Sequence, residues 1–213
     1  MTDWHGPRYW RNRSPKERVS NAHIPKRYLD KTIDSYDDEV GSWGVTQAIR
    51  GWASNIKENL ESGEGLYFCG ATGTGKTHLA AALLSELLHK HQLGGFFITA
   101  EKFIAATYDE LRSDGELPDE YGDPYLLKYI NSVFDIVVLD GLGGEKKTDF
   151  TKNAVSSLLN SRYEQKLITI VTSEMSIASI GVNYGPRLAS ILQDATLQIP
   201  FEGKDYRVTQ HAG

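Results

Sequence analysis

Residues 70–77 read Gly70-Ala71-Thr72-Gly73-Thr74-Gly75-Lys76-Thr77, the pattern G-x-x-x-x-G-K-T. A short apolar run, Gly65-Leu66-Tyr67-Phe68-Cys69, precedes it, and a stretch of good helix formers, His78 to Leu88, follows it. Strand, glycine-rich turn and helix in that order make a phosphate-binding loop. Gly73 and Gly75 admit backbone conformations that a Cβ would obstruct. The N–H groups between Gly73 and His78 can then converge on phosphate oxygens at a helix N-terminus, where unpaired donors and the helix dipole favour an anion. Lys76 adds a mobile positive charge, and the Thr77 hydroxyl can ligate Mg²⁺. Gly70, Thr72, Gly73, Thr74, Gly75, Lys76, Thr77 and His78 are therefore the candidate triphosphate-binding residues, and ATP with Mg²⁺ the expected ligand pair.

The rest of the chain alternates strands and helices around this loop. Strands are predicted at 65–69, 96–99, 134–139, 167–171 and 197–199. Helices are predicted at 43–61, from His78 onward, and at 101–111, 125–130, 150–165 and 186–192. The 43–61 helix rests on Val45, Ile49, Trp52, Ile56 and Leu60 at helical spacing. In 101–111 the apolar side is Phe103, Ile104, Tyr108 and Leu111; in 150–165 it is Val155, Leu158, Leu159 and Tyr163. The polar stretch 113–124, with two glycines and two prolines, reads as a loop. This alternation predicts an α/β fold: a five-stranded parallel sheet with helices on both faces. The 134–139 run is continuous and β-branched, as a central parallel strand requires.

Three further places carry candidate chemistry. Asp140 follows four apolar residues at the C-terminal edge of that central strand, beside the phosphate loop in this architecture, where it can hold Mg²⁺. The position after it, where an acid commonly orients the attacking water, is Gly141; Glu145 is a possible substitute, or else a charge on a surface loop. Thr172-Ser173 closes the fourth strand, and a hydroxyl there, with Ser173 the candidate, can sense the γ-phosphate or position water. Arg187 is a solvated charge or a finger reaching into a neighbouring subunit's site.

Residues 1–31 hold eight Lys/Arg against three Asp/Glu, whereas the remainder holds fifteen against twenty-five. Residues 1–22, with Trp4, Tyr9 and Trp10 among the arginines, read as a basic, irregular and flexible arm that contacts nucleic acid or an acidic protein face, or is simply solvated; residues 23–213 form the nucleotide-binding domain. Cys69 is the single cysteine, so disulfides and cysteine metal sites are excluded. No apolar run approaches the ~20 residues of a membrane span, and the first residues lack a signal-peptide core. A cytoplasmic protein is expected.

With these residues in view, the sequence resembles the DnaC/IstB-type ATPases of the AAA+ class, which include bacterial and phage replicative-helicase loaders and ATP-binding helpers of transposases. The resemblance runs from Ile24 to Arg207 and rests on Ile24-Pro25-Lys26-Arg27-Tyr28-Leu29, on 70–79, on Asp140-Gly141-Leu142-Gly143-Gly144-Glu145-Lys146 and on 161–173. It implies an AAA+ P-loop NTPase with little or no C-terminal lid, and Arg27 and Tyr28 near the adenine. It implies an ATPase that binds a hexameric replicative DNA helicase, self-associates on it and helps place it on single-stranded DNA. A transposase helper, or a nucleotide switch with little hydrolysis, is the alternative. The sequence departs from the pattern at Gly141, which implies slow hydrolysis. It departs also at Glu174, where asparagine is usual, and at Ile191, where a second arginine is usual.

Overall fold

The computed structural model describes residues 11–37, 44–113, 126–203 and 205–206. Its centre is one parallel sheet of five strands: β1 (Gly65–Gly70), β2 (Gly95–Thr99), β3 (Ile136–Leu142), β4 (Ile168–Ser173) and β5 (Thr196–Phe201), in the spatial order β2-β3-β4-β1-β5. Successive side chains point to opposite faces of a strand, and the core divides accordingly. Tyr67, Val137, Leu139 and Val171 join one apolar cluster, while Leu66, Phe68, Ile136, Val138, Ile168 and Ile170 join the other. Both faces are covered, so β3 is apolar and buried from Ile136 to Leu139 and β4 is buried at every position, as central parallel strands must be.

One face packs α1 (Pro15–Ser20), α2 (Val45–Ser54), α3 (Ile56–Ser62) and α4 (Lys76–Lys90). The other packs α5 (Ala100–Arg112), α6 (Leu126–Ser132), α7 (Asp149–Glu164), α8 (Ile177–Tyr184) and α9 (Pro186–Ala195). Because β4 lies between β1 and β3, the C-terminal ends of these three strands bring residues 70–77, 140–145 and 172–174 together at one edge. None of the helices among the described residues is long and apolar enough to cross a membrane.

Four features differ from the sequence reading. The stretch expected to be irregular through residue 22 contains α1, started by a reciprocal Ser14–Glu17 capping box with Pro15 in its first turn. Two of its basic residues are tied to the body: Arg18 is buried and donates from Nε to Leu88 O at 2.9 Å, and Arg11 Nη2 meets Asp135 Oδ1 at 2.5 Å. Trp4, Tyr9 and Trp10 lie outside the described residues. The single helix expected at 43–61 is two, broken at Asn55, whose N–H turns back to Trp52 O at 3.1 Å while its side chain donates to Gly51 O at 3.3 Å. An Asn side chain that competes for backbone acceptors in this way ends a helix, although the stripe Val45, Ile49, Trp52 and Ile56 is buried as expected.

α8 has no counterpart in the sequence reading; Ser176 caps it by accepting from Ser179 N. Finally, Tyr108, Leu111 and Tyr163 are exposed rather than core residues. Ala100, Phe103 and Ala106 are the buried side of α5, and the Tyr163 hydroxyl donates to Asp194 Oδ2 at 2.7 Å.

Candidate nucleotide site

The loop between β1 and α4 curls over the N-terminus of α4 with Gly73 and Gly75 both at positive φ. At Gly75 the obstacle is a ring held in place rather than the end of a flexible side chain. The φ of Gly75 is +91°, and a Cβ there would stand 2.4 Å from the Tyr36 ring, whose hydroxyl donates to Thr74 O at 2.9 Å. Lys76 is buried, and its ammonium donates to Gly70 O and Ala71 O at 2.6 Å each, across the inside of the loop. The Thr77 hydroxyl donates to Asp140 Oδ1 at 2.8 Å, and Thr172 donates to the same oxygen at 2.7 Å. Burial raises the Asp140 pKa above the ordinary carboxylate value; the bonds from Thr172 and Thr77 and the charge on Lys76 oppose that shift.

Lys76, Thr77 and Thr172 border a cavity of about 510 Å³. Its phosphate end is formed by Thr72, Gly73, Gly75, Lys76 and Thr77, with 141–144 and 172–174 across from them. Tyr28, Tyr36, His78 and Tyr206 line it too, an aromatic group with Arg27 beside it. The Arg27 guanidinium lies over the Tyr28 ring at 5.0 Å. Tyr206 N donates to Gly73 O at 3.0 Å, and the Tyr36 and Tyr206 rings are 5.4 Å apart. Burial draws the His78 imidazole below its usual pKa, offset by a bond from Nε2 to Thr32 O of 3.0 Å.

Among the sequence candidates, Arg27, Tyr28, Thr72, Gly73, Gly75, Lys76, Thr77, His78 and Ser173 line the cavity, and Asp140 touches it through Thr77. Gly70 contributes its carbonyl to Lys76, and Thr74 is buried with its hydroxyl on Ala71 O at 2.8 Å, so both shape the loop from behind. Ser173 differs from expectation. Its hydroxyl donates to Leu142 O at 2.6 Å and accepts from Met175 N at 3.0 Å, so the hydroxyl that reaches the Asp140 carboxylate is that of Thr172.

Glu145 is not brought to the phosphate end. It is buried, accepts from Gly143 N at 2.9 Å and from the Tyr184 hydroxyl, and lines a separate cavity beside Tyr108 and Phe150. Burial and that carboxylate raise the Tyr184 pKa far above a free phenol's. The reading of Glu145 as a substitute base is thereby corrected: its oxygens are committed to the α8 side of the sheet. Arg187 stands on α9 with its side chain 79% exposed, 2.6 Å from Asn160 Oδ1 and outside the cavity. Ile191, one turn on, is buried. Lys31, Ser35, Tyr36 and Tyr206 also line the cavity and were not sequence candidates; Tyr36 and Tyr206 had no local signal and are brought to the loop by tertiary packing.

Gly141 explains the missing acid in backbone terms. β3 bulges against β4 between Leu139 and Leu142, Gly141 sits at φ +77°, and its N–H donates to Thr172 Oγ1 at 2.8 Å. Nothing lies within 4 Å of a Cβ added there, so a substitution meets a conformational penalty and no clash. Gly141→Ala should lower unfolding stability by about 1–2 kcal/mol, read from the urea midpoint. An unchanged midpoint would mean that the bulge relaxes.

The fold and this loop define a P-loop nucleotide-binding protein of the AAA+ type, an architecture it has in common with its structural neighbours. Residues 9–211 match the family described as IstB-like ATP binding protein, and the chain belongs to that family. It is 26% identical over 200 residues to the replicative helicase loader DnaC of Escherichia coli (strain K12), covering 92% of this chain and 78% of that protein. It is 29% identical over 162 residues to the replicative helicase loader DnaI of Bacillus subtilis (strain 168), covering 74% of this chain and 48% of that one. The crystal structure of the DnaC helicase loader superposes with a TM-score of 0.70 at 26% identity over 83% of this chain. AMPPCP-bound DnaA from Aquifex aeolicus gives 0.65 at 17% identity, a likeness of fold.

Proposed function

We propose that this protein is an ATP-dependent helicase loader: it binds a hexameric replicative DNA helicase in the cytoplasm and, self-associating on it, helps place it on single-stranded DNA. The nucleotide half of this reading is carried by one observation, the Thr77–Asp140 contact at 2.8 Å beside the buried Lys76. The partner half is supported by relatives described as replicative helicase loaders, alignable over 92% of this chain in the Escherichia coli case.

The loop N–H groups and Lys76 hold the phosphates, and the aromatic group takes the base. Among the described residues no cluster of three or more His, Cys, Asp or Glu could hold a metal by itself. A hydroxyl and a carboxylate on one shared contact, with phosphate oxygens and water completing the shell, suit Mg²⁺. Thr77 and Asp140 would hold it, and it would neutralise charge between the β- and γ-phosphates.

Hydrolysis serves as a timer, slower than where β3 itself carries the acid, because Gly141 offers no side chain there. The loop from Gly141 to α7, which faces the γ-phosphate position, is the switch element, and Arg187 is poised for a neighbouring subunit's nucleotide. The test is reconstitution with the replicative helicase of the same cell or phage on closed circular single-stranded DNA. The protein with ATP should be required for helicase to be retained on the circle. Failure to bind the helicase, with ATP-dependent binding of a transposase and duplex DNA instead, would overturn the loader reading in favour of a transposase helper.

A further inference from the structure

The attack of water on a γ-phosphate is commonly assisted by a carboxylate that orients the water and accepts its proton. Two positions where the sequence suggests one are empty of it. Gly141 has no side chain, and its positive φ disfavours any other residue. Glu145 is buried against Tyr184 and Gly143 N, in a different cavity.

One carboxylate does stand at the phosphate end. Among the described residues lining the 510 Å³ cavity, Glu174 is the single Asp or Glu. It is the first residue after β4, the strand that lies between the β1 end carrying the phosphate loop and the β3 end carrying Asp140. Its neighbour Ser173 pairs with Cys69 on one side and with Leu142 on the other, which fixes Glu174 at the junction of the two. Its Oε1 accepts from the Thr72 hydroxyl, on the loop that wraps the phosphates. It is exposed to the cavity rather than packed in the core.

We propose that Glu174 is the catalytic carboxylate of this site, supplied from β4 because β3 cannot supply it. The inference rests on the nucleotide-site reading above. In the step it assists, the water oxygen bonds to the γ-phosphorus as the bond from phosphorus to the β–γ bridging oxygen breaks. ADP leaves with that electron pair. The water's proton passes to Glu174, which returns it to the phosphate or to solvent. The Thr72 hydroxyl, free to rotate, holds the carboxylate at the loop between turnovers.

The experiment uses the full chain and its Glu174→Gln and Glu174→Asp variants, with Lys76→Ala as the binding control. Affinity for a fluorescent ATP analogue with Mg²⁺ and single-turnover phosphate release are measured. Glu174→Gln should bind the analogue within about threefold of the parent, whereas release falls about 10²-fold, into the assay background. Glu174→Asp, which keeps the proton acceptor on a shorter arm, should recover part of the rate.

Release by Glu174→Gln within a few-fold of the parent, or a parent already at background despite tight binding, overturns the assignment while leaving the nucleotide site intact. A parent that binds no analogue, indistinguishable from Lys76→Ala, overturns the site reading itself.

Discussion

Lys76→Ala should abolish measurable turnover and weaken ATP binding by about 10- to 100-fold, while the protein stays folded. The ammonium is the buried cation of the loop, and two of its partners, Gly70 O and Ala71 O, are backbone carbonyls lying 2.6 Å away. When a triphosphate binds, the same group can exchange these neutral acceptors for charged oxygens. A hydrogen bond to a charged group is worth about 1.5–3 kcal/mol, and each 1.4 kcal/mol is tenfold in affinity, which gives the range expected.

The fold should tolerate the change. Residue 76 opens α4, where alanine is the best helix former, and the two released carbonyls border a cavity that water can enter. Titration with a fluorescent ATP analogue and a urea unfolding curve on the same sample separate the two effects. Affinity within twofold of the parent would remove Lys76, and with it the phosphate loop, from the nucleotide site. A collapse in the urea midpoint would instead make the lysine a structural strut.

What the sequence made legible were features written in consecutive residues. The loop 70–77 declares its own conformation through Gly73, Gly75 and the helix that follows, and Asp140 is marked by the apolar run before it. The first four strands lie at apolar runs, and β5 carries only a short Leu197-Gln198-Ile199 signal. The structure contains all five, with β3 and β4 starting one or two residues later than read and several C-terminal ends running one to three residues further.

What stayed illegible depended on distant partners or on backbone angles. Glu145 looks like part of a charged surface loop until Tyr184, thirty-nine residues later, folds over it. The φ of Gly141 is imposed by a bulge in strand pairing, and a glycine in a sequence carries no sign of which dihedral it serves. Ser14-Pro15-Lys16-Glu17 did carry a readable capping signature. It was hidden by the basic character of the residues around it, which suggested a solvated arm. Arg11 and Arg18 serve the body of the protein, so any contact of this segment with DNA phosphates would have to draw on its other cations.

The largest expected effect on stability comes from Arg162, on α7, which reads in sequence as an ordinary helix-surface charge and is fully buried. Its guanidinium donates to Thr169 Oγ1 at 2.9 Å, Ile130 O at 2.7 Å, Phe134 O at 3.1 Å and Ile168 O at 2.7 Å. These four acceptors lie on the last turn of α6, the approach to β3 and the start of β4. Ile130 O is among the end-of-helix carbonyls that α6 cannot satisfy internally. Burial draws the Arg162 pKa down to about 9, opposed by the charge on Asp135.

Two magnitudes compete here. Removing the cation recovers a desolvation penalty of several kcal/mol. It also takes one donor each from three buried backbone carbonyls, at about 1–3 kcal/mol for a carbonyl left without another. The second effect should prevail, because the carbonyls are fixed by helix and sheet and cannot turn to water. Arg162→Met keeps most of the volume and isolates the lost hydrogen bonds; it should cost about 3 kcal/mol. Arg162→Ala adds a cavity and should cost about 4–5 kcal/mol, a large share of the 5–15 kcal/mol typical of a domain.

Arg162→Lys should not rescue, since one ammonium cannot reach acceptors arrayed around a planar fork. The cluster sits at the N-terminal edge of the sheet, opposite the phosphate loop. Protein that remains folded should therefore bind ATP with unchanged affinity, the reverse of the Lys76 result. Urea midpoints of the three variants, with analogue titration below the transition, measure both. A midpoint for Arg162→Met equal to the parent's would mean that water or a rearranged α6 satisfies the carbonyls, and that the arginine contributes packing alone.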